Sequence, residues 1–352
     1  MKNLKIKAAL LPLAVVLPTF AATAQEGVSK EDLHKQLSQI QARLAQLEEA
    51  KSAPASNNTK INFYGTLRPT FGLTSTDSED SWDVGDALSR IGVAAEHKLS
   101  NGMTAFAKGE FKVQIQGDAH FGDARKAYVG IKGDFGRVAI GKQSTTQYSI
   151  IADPVDIFNR ASTPLAYDDA SPFRQQQLVS YSKQLGNLSF SAMGQFNSDT
   201  ENEGSDLFNT GVKYQGDGFT LGAAYLSKDF KGFDEQAFGI SGSKSLGDLY
   251  IAASYQDIDR GGNGQDRSTL DVVGAYQINE SYKFKAGYSK FSDDLDISLS
   301  NEVTRVNTTL EWHGSPDYYL FVEYQNNNFA NGSARDSDQF MVGMRYNFDY
   351  KF

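Results

Sequence analysis

The sequence predicts an all-β protein: a 16-stranded antiparallel transmembrane β-barrel preceded by a short α-helical coiled coil. Three observations predict it. Period-two alternation runs from about residue 61 to residue 352, with long apolar faces rich in aromatics. Short connections alternate with long ones along that stretch. The residues before it carry an export signal and a heptad seam.

The chain opens with Lys2, Lys5 and Lys7, then a short apolar stretch from Ala8 to Phe20, then Ala22-Thr23-Ala24 before Gln25. That order of charge, apolar core and small residues is a secretory signal peptide over residues 1–24. Residues 25–50 carry Leu33, Leu37, Ile40, Leu44 and Leu47 at spacings of 4, 3, 4 and 3. This is a coiled-coil seam, and Leu at a with Ile at d leans toward trimers or higher assemblies. Residues 51–60, KSAPASNNTK, read as a polar linker. Residues 61–352 are the barrel.

The last segment shows why the sheet belongs in a membrane. Phe340, Val342, Met344, Tyr346, Phe348, Tyr350 and Phe352 share one face, while Met341, Gly343, Arg345, Asn347, Asp349 and Lys351 share the other. Successive strand residues point to opposite faces. A strand of about ten residues, apolar outside and polar inside, spans an outer membrane within a closed barrel. Closure is required because lipid offers no hydrogen-bond partner to a free sheet edge.

Sixteen such segments centre near Gly65, Gly92, Lys108, Tyr128, Ile140, Val179, Ala192, Val212, Ala223, Ile240, Ala253, Val273, Ala286, Thr308, Val322 and Arg345. Short turns, such as Ser100-Asn101-Gly102 and Leu185-Gly186-Asn187, alternate with longer loops at Ser75–Gly85, Asn197–Asp206, Asp257–Arg267 and Ala330–Asp338. Tyr181, Phe196, Tyr225, Tyr255, Tyr276, Tyr288 and Tyr324 stand at strand ends, where an interfacial girdle needs amphipathic rings.

Composition narrows the function. Net charge is -9, and residues 61–352 hold 26 Lys+Arg against 38 Asp+Glu. That acidity argues against nucleic acid as a partner and against a phosphate channel. Cysteine is absent, and the 4 His (His34, His97, His120 and His313) lack metal-ligand spacing. No phosphate loop, zincin motif or nucleophile elbow occurs, so neither a cofactor nor a metal nor catalysis is expected.

One connection differs from the rest. Gln143 to Phe173 spans about thirty residues and holds Asp153, Asp156, Asp168 and Asp169 with Pro154, Pro164 and Pro172. Loops of that length in a compact domain are usually functional.

Phe63-Tyr64-Gly65, Ser89-Arg90-Ile91-Gly92, Asn101-Gly102, the run Arg125 to Gly130, the run Phe135 to Gln143, the run Arg174 to Tyr181, and Val342 to Phe348 with Phe352 follow one another in an ordered series. In that order and spacing the chain resembles the general diffusion porins of Gram-negative bacteria. The resemblance implies a trimer of sixteen-stranded barrels, each with a long loop folded into its pore. It implies that acidic loop residues face wall arginines. By position Arg90, Arg125 and Arg174 match that wall. Arg68 lies two residues beyond a family basic position, where Thr66 stands here. Asp153 and Asp156 match the acidic part of the loop, and Asp168 and Asp169 lie past its tip, toward the mouth. The expected function is passive diffusion of small hydrophilic solutes and ions through the outer membrane, in contact with lipid and lipopolysaccharide. The alternative is a sugar-preferring porin. The helix of residues 25–50, expected in the periplasm, departs from the common pattern. Barrel proteases and phospholipases have fewer strands, and trimeric adhesins place only four after their coil.

Overall fold

The computed structural model describes Ser38, Ala42 and residues 58–117, 121–160, 172–196, 207–230, 233–261, 266–295, 300–330 and 336–352. Ser38 and Ala42 are helical. The signal peptide, all five residues of the heptad seam, Asp168 and Asp169 lie outside the described residues. The chain divides into two compact units, Met1–Asn57 and Asn58–Phe352. The second unit is the barrel.

Its strands are β1 (Thr59–Leu67), β2 (Pro69–Ser75), β3 (Asp80–Asp86), β4 (Arg90–Lys98), β5 (Thr104–Val113), β6 (Phe121–Gly133), β7 (Gly136–Ser144), β8 (Arg174–Leu185) and β9 (Leu188–Gln195). Then come β10 (Leu207–Gln215), β11 (Phe219–Phe230), β12 (Phe233–Leu246), β13 (Leu249–Arg260), β14 (Arg267–Gln277), β15 (Tyr282–Asp293), β16 (Val303–Ser315), β17 (Tyr318–Phe329) and β18 (Ser337–Lys351). Sequence neighbours pair antiparallel around the wall. β18 closes the ring by pairing with β1 along Tyr346–Lys351 and with β2 along Asp338–Gly343. β4 pairs with β1, and β3 with β2. Hence β1 and β2 form one spanning strand interrupted at Arg68, and β3 and β4 another interrupted at Ala87–Ser89. The closed barrel is therefore 16-stranded and antiparallel, as expected.

Every strand centre expected above falls within an observed strand. Several boundaries differ. Residues 257–260, expected in a loop, extend β13, Ser337 and Asp338 belong to β18, and Gln143 and Ser144 to β7. Ser75–Gly85, expected as a long loop, is a tight hairpin whose second arm, β3, starts at Asp80. The turn is closed by Thr76 N to Glu79 O at 3.0 Å, with the Thr76 hydroxyl capping the Glu79 N–H at 3.1 Å. Its polar residues hide a strand because that arm exposes Trp82 and Val84 on one face alone. Thr59 and Lys60, read as the end of the linker, already belong to β1, which pairs there with His97 and Glu96.

The barrel is inside out relative to a soluble protein. Phe71, Val84, Val93, Val129, Ile140, Leu221, Phe238, Ile240, Phe340 and Met344 are exposed on its outer face. Buried positions are largely polar and face inward, among them Thr66, Ser180, Asn209, Gln256, Asp271 and Glu323. The ladder satisfies the wall's backbone groups, each of which would otherwise cost several kcal/mol in lipid. Tyr181, Tyr255, Tyr276, Tyr288 and Tyr324 sit on the outer face.

Candidate functional site

The connection between β7 and β8 turns into the barrel and packs on the inner wall. Its neck is closed by Thr145, whose N–H donates to Phe173 O at 3.2 Å and whose hydroxyl donates to Pro172 O at 2.8 Å. A π-helical turn follows, Tyr148–Ala152, then a 3-10 turn, Asp153–Val155, started by Pro154. Pro suits the first turn of a helix because no N–H is needed there. Ile150, Ile151, Ala152 and Val155 are buried against the wall.

Small residues on the wall make room for that turn. A Cβ added to Gly222 on β11 would stand 2.5 Å from Ile150 Cγ2, and one on Gly239 on β12 would stand 2.8 Å from Ile151 Cγ1. Polar contacts fix the same stretch. Gln147 N donates to Asn209 Oδ1 at 2.7 Å, Gln147 Nε2 to Gln256 Oε1 at 2.7 Å, Ser241 Oγ to Ile150 O at 2.6 Å and the Tyr250 hydroxyl to Pro154 O at 2.7 Å.

The far end is held by the opposite arc of wall, β15 to β17. Glu323 accepts from the backbone N–H of Asn159 at 2.9 Å and of Arg160 at 2.8 Å, one on each carboxylate oxygen. Glu311 accepts from Asn159 Nδ2 at 3.1 Å and from Lys285 Nζ at 2.6 Å. Lys285 Nζ also donates to Ile157 O at 2.6 Å, and Arg160 pairs with Asp83. Glu311 and Glu323 are almost wholly buried, so their charges are consumed in holding the loop.

The four arginines singled out in the sequence share one feature: each sits at or beside an irregularity in the strand ladder. Arg68 lies in the break between β1 and β2, where its N–H donates to Ser89 Oγ at 2.7 Å and its carbonyl accepts from Ala87 N at 2.8 Å. Arg90 follows the break between β3 and β4, where Leu88 takes a φ of 70°. That break changes the alternation. Trp82 and Val84 point out before it, and Val93 points out after it. Without the shift Arg90 would share the lipid face with Val84. Arg125 is the extra residue of a bulge: pairing passes from Glu110↔Lys126 directly to Phe111↔Ala124. A bulge re-aims a side chain, and here consecutive Arg125 and Lys126 both turn from the lipid. Arg174 opens β8 beside another register shift, near Gln177 with a φ of 57°. Its guanidinium lies 3.4 Å from the Phe173 ring centroid.

The arginines act on one another electrostatically, and Arg345 of β18 joins them. Arg345 Nη1 donates to the Tyr319 hydroxyl at 3.1 Å, which in turn donates to Asn159 Oδ1 at 2.8 Å. Glu110 stands among them. It accepts from Arg125 Nε at 3.0 Å and the Tyr64 hydroxyl at 3.0 Å, with Arg90 Nε at 4.0 Å. Glu110, Lys126 and Arg345 were not singled out as site residues in the sequence. Glu110 and Arg345 do lie on the charged faces of their alternating strands, a signal that was available.

Burial pushes the Asp153 and Asp156 carboxyls above the usual carboxylate range. Lys213 and Lys126 oppose that shift at Asp153. At Asp156 the Tyr148 hydroxyl, donating at 2.7 Å, opposes it most, Asp153 reinforces it, and Arg68 and Arg90 oppose it further. Among the described residues neither acid forms an ion pair with a wall arginine.

A closed barrel with an apolar exterior, a polar interior and a loop folded inside defines a membrane channel. The chain belongs to the Gram-negative porin family, whose model matches residues 42–351. It is a passive channel of the Gram-negative outer membrane. It is 24% identical over 327 residues to outer membrane protein U of Vibrio parahaemolyticus, covering 83% of this chain and 92% of that protein. It is 27% identical over 262 residues to a monosaccharide porin of Halomonas sp, covering 68% of this chain and 65% of that protein. Among solved structures it is similar to the trimer form of OmpT, an outer membrane protein of Vibrio cholerae. The TM-score is 0.65 at 20% identity, covering 82% of this chain and 99% of that one.

Proposed function

We propose that the channel is a trimeric diffusion porin for small hydrophilic solutes and ions. Its constriction is set by Asp153 and Asp156 on the inward loop and by Arg68, Arg90, Arg125 and Arg174 on the wall. The observation that carries the reading is the loop itself. It is anchored at both ends to opposite arcs of the wall and carries two acids, of which Asp156 acts electrostatically on Arg68 and Arg90 without pairing to them. Opposed charge across a narrow aqueous path orients polar solutes and disfavours apolar ones. The acidic excess of the barrel adds a modest cation preference that weakens with salt as charges are screened. Solutes cross by diffusion, with lipid and lipopolysaccharide outside. The signal peptide directs export, and the heptad seam of residues 25–50 supports the trimer from the periplasm.

The preferred solute has a second reading. The likeness to a monosaccharide porin favours a sugar-preferring channel. Planar-bilayer recording tests the main reading. Arg90→Gln with Arg125→Gln should raise conductance and cation preference. Unchanged conductance and reversal potential in that double variant would remove both residues from the constriction.

A further inference from the structure

On the short-turn side of the inward loop lies a cavity of about 600 Å³, roofed by Ser149 and Ile150 and walled by the ends of β6 to β10. The residues that face into it are set by strand parity. Arg137 shares a face with buried Ala139, and Ser182 with buried Ser180. Lys213 shares a face with Gly211, whose Cβ position looks at Ile150 Cδ1 from 2.6 Å. Ser191 bonds Thr146 of the loop at 3.1 Å.

Four cations line the cavity: Lys132, Arg137, Lys183 and Lys213. Lys183 has the strand parity of outward Tyr181, and the other three differ in what they already hold. Lys132 is paired with Glu96. Arg137 is propped by aromatic rings, 4.3 Å from the Phe106 centroid and 5.3 Å from that of Tyr128. Its guanidinium donors therefore stay directed while the ring faces support its plane. Lys213 has no hydrogen bond or ion pair among the described residues, and the Ser182 hydroxyl has none either. The one acid lining the cavity is Asp134, in the short turn between β6 and β7. Two directed cationic donors thus stand beside several hydroxyls, in a barrel that is acidic elsewhere.

We propose that this cavity is a binding subsite for a sugar that carries an oxyanion group, a sugar acid or a sugar phosphate. Arg137 and Lys213 take the oxyanion, since charge-assisted hydrogen bonds to a planar guanidinium and an unpaired ammonium are the strongest on offer. Ser149, Ser182 and Ser191 meet the sugar hydroxyls. Ser149 and Ile150 of the inward loop line the subsite, so a solute coming from the long-loop side reaches it after clearing the loop. The inference rests on the channel reading and adds a solute class to it.

The test uses the full-length protein in planar bilayers, with gluconate, glucose 6-phosphate, glucose and acetate each added to the short-turn side during recording in KCl. Gluconate, glucose 6-phosphate or both should interrupt the current at concentrations where glucose and acetate do not. The arm that acts identifies the carboxylate or the phosphate as the preferred group. Lys213→Gln should weaken that interruption about tenfold, as loss of a charge-assisted hydrogen bond predicts. Ser182→Ala should weaken it less. KCl conductance of each variant verifies that it folds. Equal interruption by glucose, equal interruption by acetate, or no change in Lys213→Gln overturns the subsite. Absence of any KCl conductance in the wild-type protein would instead overturn the channel reading.

Discussion

Of the arcs of the barrel that carry buried charge, two use it in opposite ways. On β15 to β17, Glu311 and Glu323 are fully occupied by loop backbone, Asn159 and Lys285. On β1 to β8, Arg90 and Arg125 meet one acid among the described residues, Glu110, and neither they nor Arg68 and Arg174 form an ion pair with the loop acids. The first arc is a clamp and the second a field. A count of charges therefore misjudges the lumen. Residues 61–352 have a large acidic excess, yet two of the wall acids beside the loop, Glu311 and Glu323, are buried and committed to hydrogen bonds that hold it. The arginine arc also lies where the ladder is broken or bulged, while the paired β15–β16 ladder that carries Lys285 and Glu311 is regular. Irregular backbone frees a side chain from strict alternation, and regular backbone supplies a rigid anchor.

The clamp depends most on Glu323. Glu323→Ala removes two hydrogen bonds from loop N–H groups to a charged acceptor, each worth about 1.5–3 kcal/mol. The expected outcome is a larger, noisier single-channel conductance, with the loop cleaved faster by protease in folded protein. A quiet channel of unchanged conductance would mean the clamp lies elsewhere.

Glu110 sharpens the comparison. Glu110→Gln removes the acid that offsets Arg125 and Arg90 and leaves the field arc more positive. Reversal potentials in a salt gradient should move toward anions, and the change should shrink at high salt. Selectivity that stays at the wild-type value would place these arginines out of reach of passing ions.

A smaller effect is expected from pH. Burial raises the carboxyl pKa of both Asp153 and Asp156, so the loop acids take up protons at a pH above that of an ordinary aspartate, about 3.9. Their negative charge is present above the raised values and is lost as pH falls through them. Cation preference should therefore decline on acidification before exposed carboxylates titrate. Asp153→Asn with Asp156→Asn should abolish that part of the pH dependence and shift neutral-pH selectivity toward anions.

Most of the barrel was legible because lipid imposes a simple rule. An outer face must be apolar, so every spanning strand announces itself by alternation, and all sixteen expected centres lie in strands. Ser75–Gly85 escaped the rule because its polar tip stands before Trp82 and Val84, leaving too few alternating residues to read. The glycines at positions 222 and 239 were a usable sign, since glycine inside a strand marks close backbone approach. Their partners, Ile150 and Ile151, lie more than seventy residues away and could not be named from local pattern.

What the sequence determined by itself was the barrel, its polarity and the presence of one long acidic connection, because these follow from side-chain period and composition. The tertiary structure alone decided which charges face the lumen. Whether Arg125 points to water or to lipid depends on the step from Glu110↔Lys126 to Phe111↔Ala124, a register set between two strands. Likewise, whether Glu323 is a free charge or a clamp depends on a loop residue 164 positions away. Alternation is a local property of the chain, whereas register and pairing are settled only when the ring closes and each backbone donor must find its acceptor.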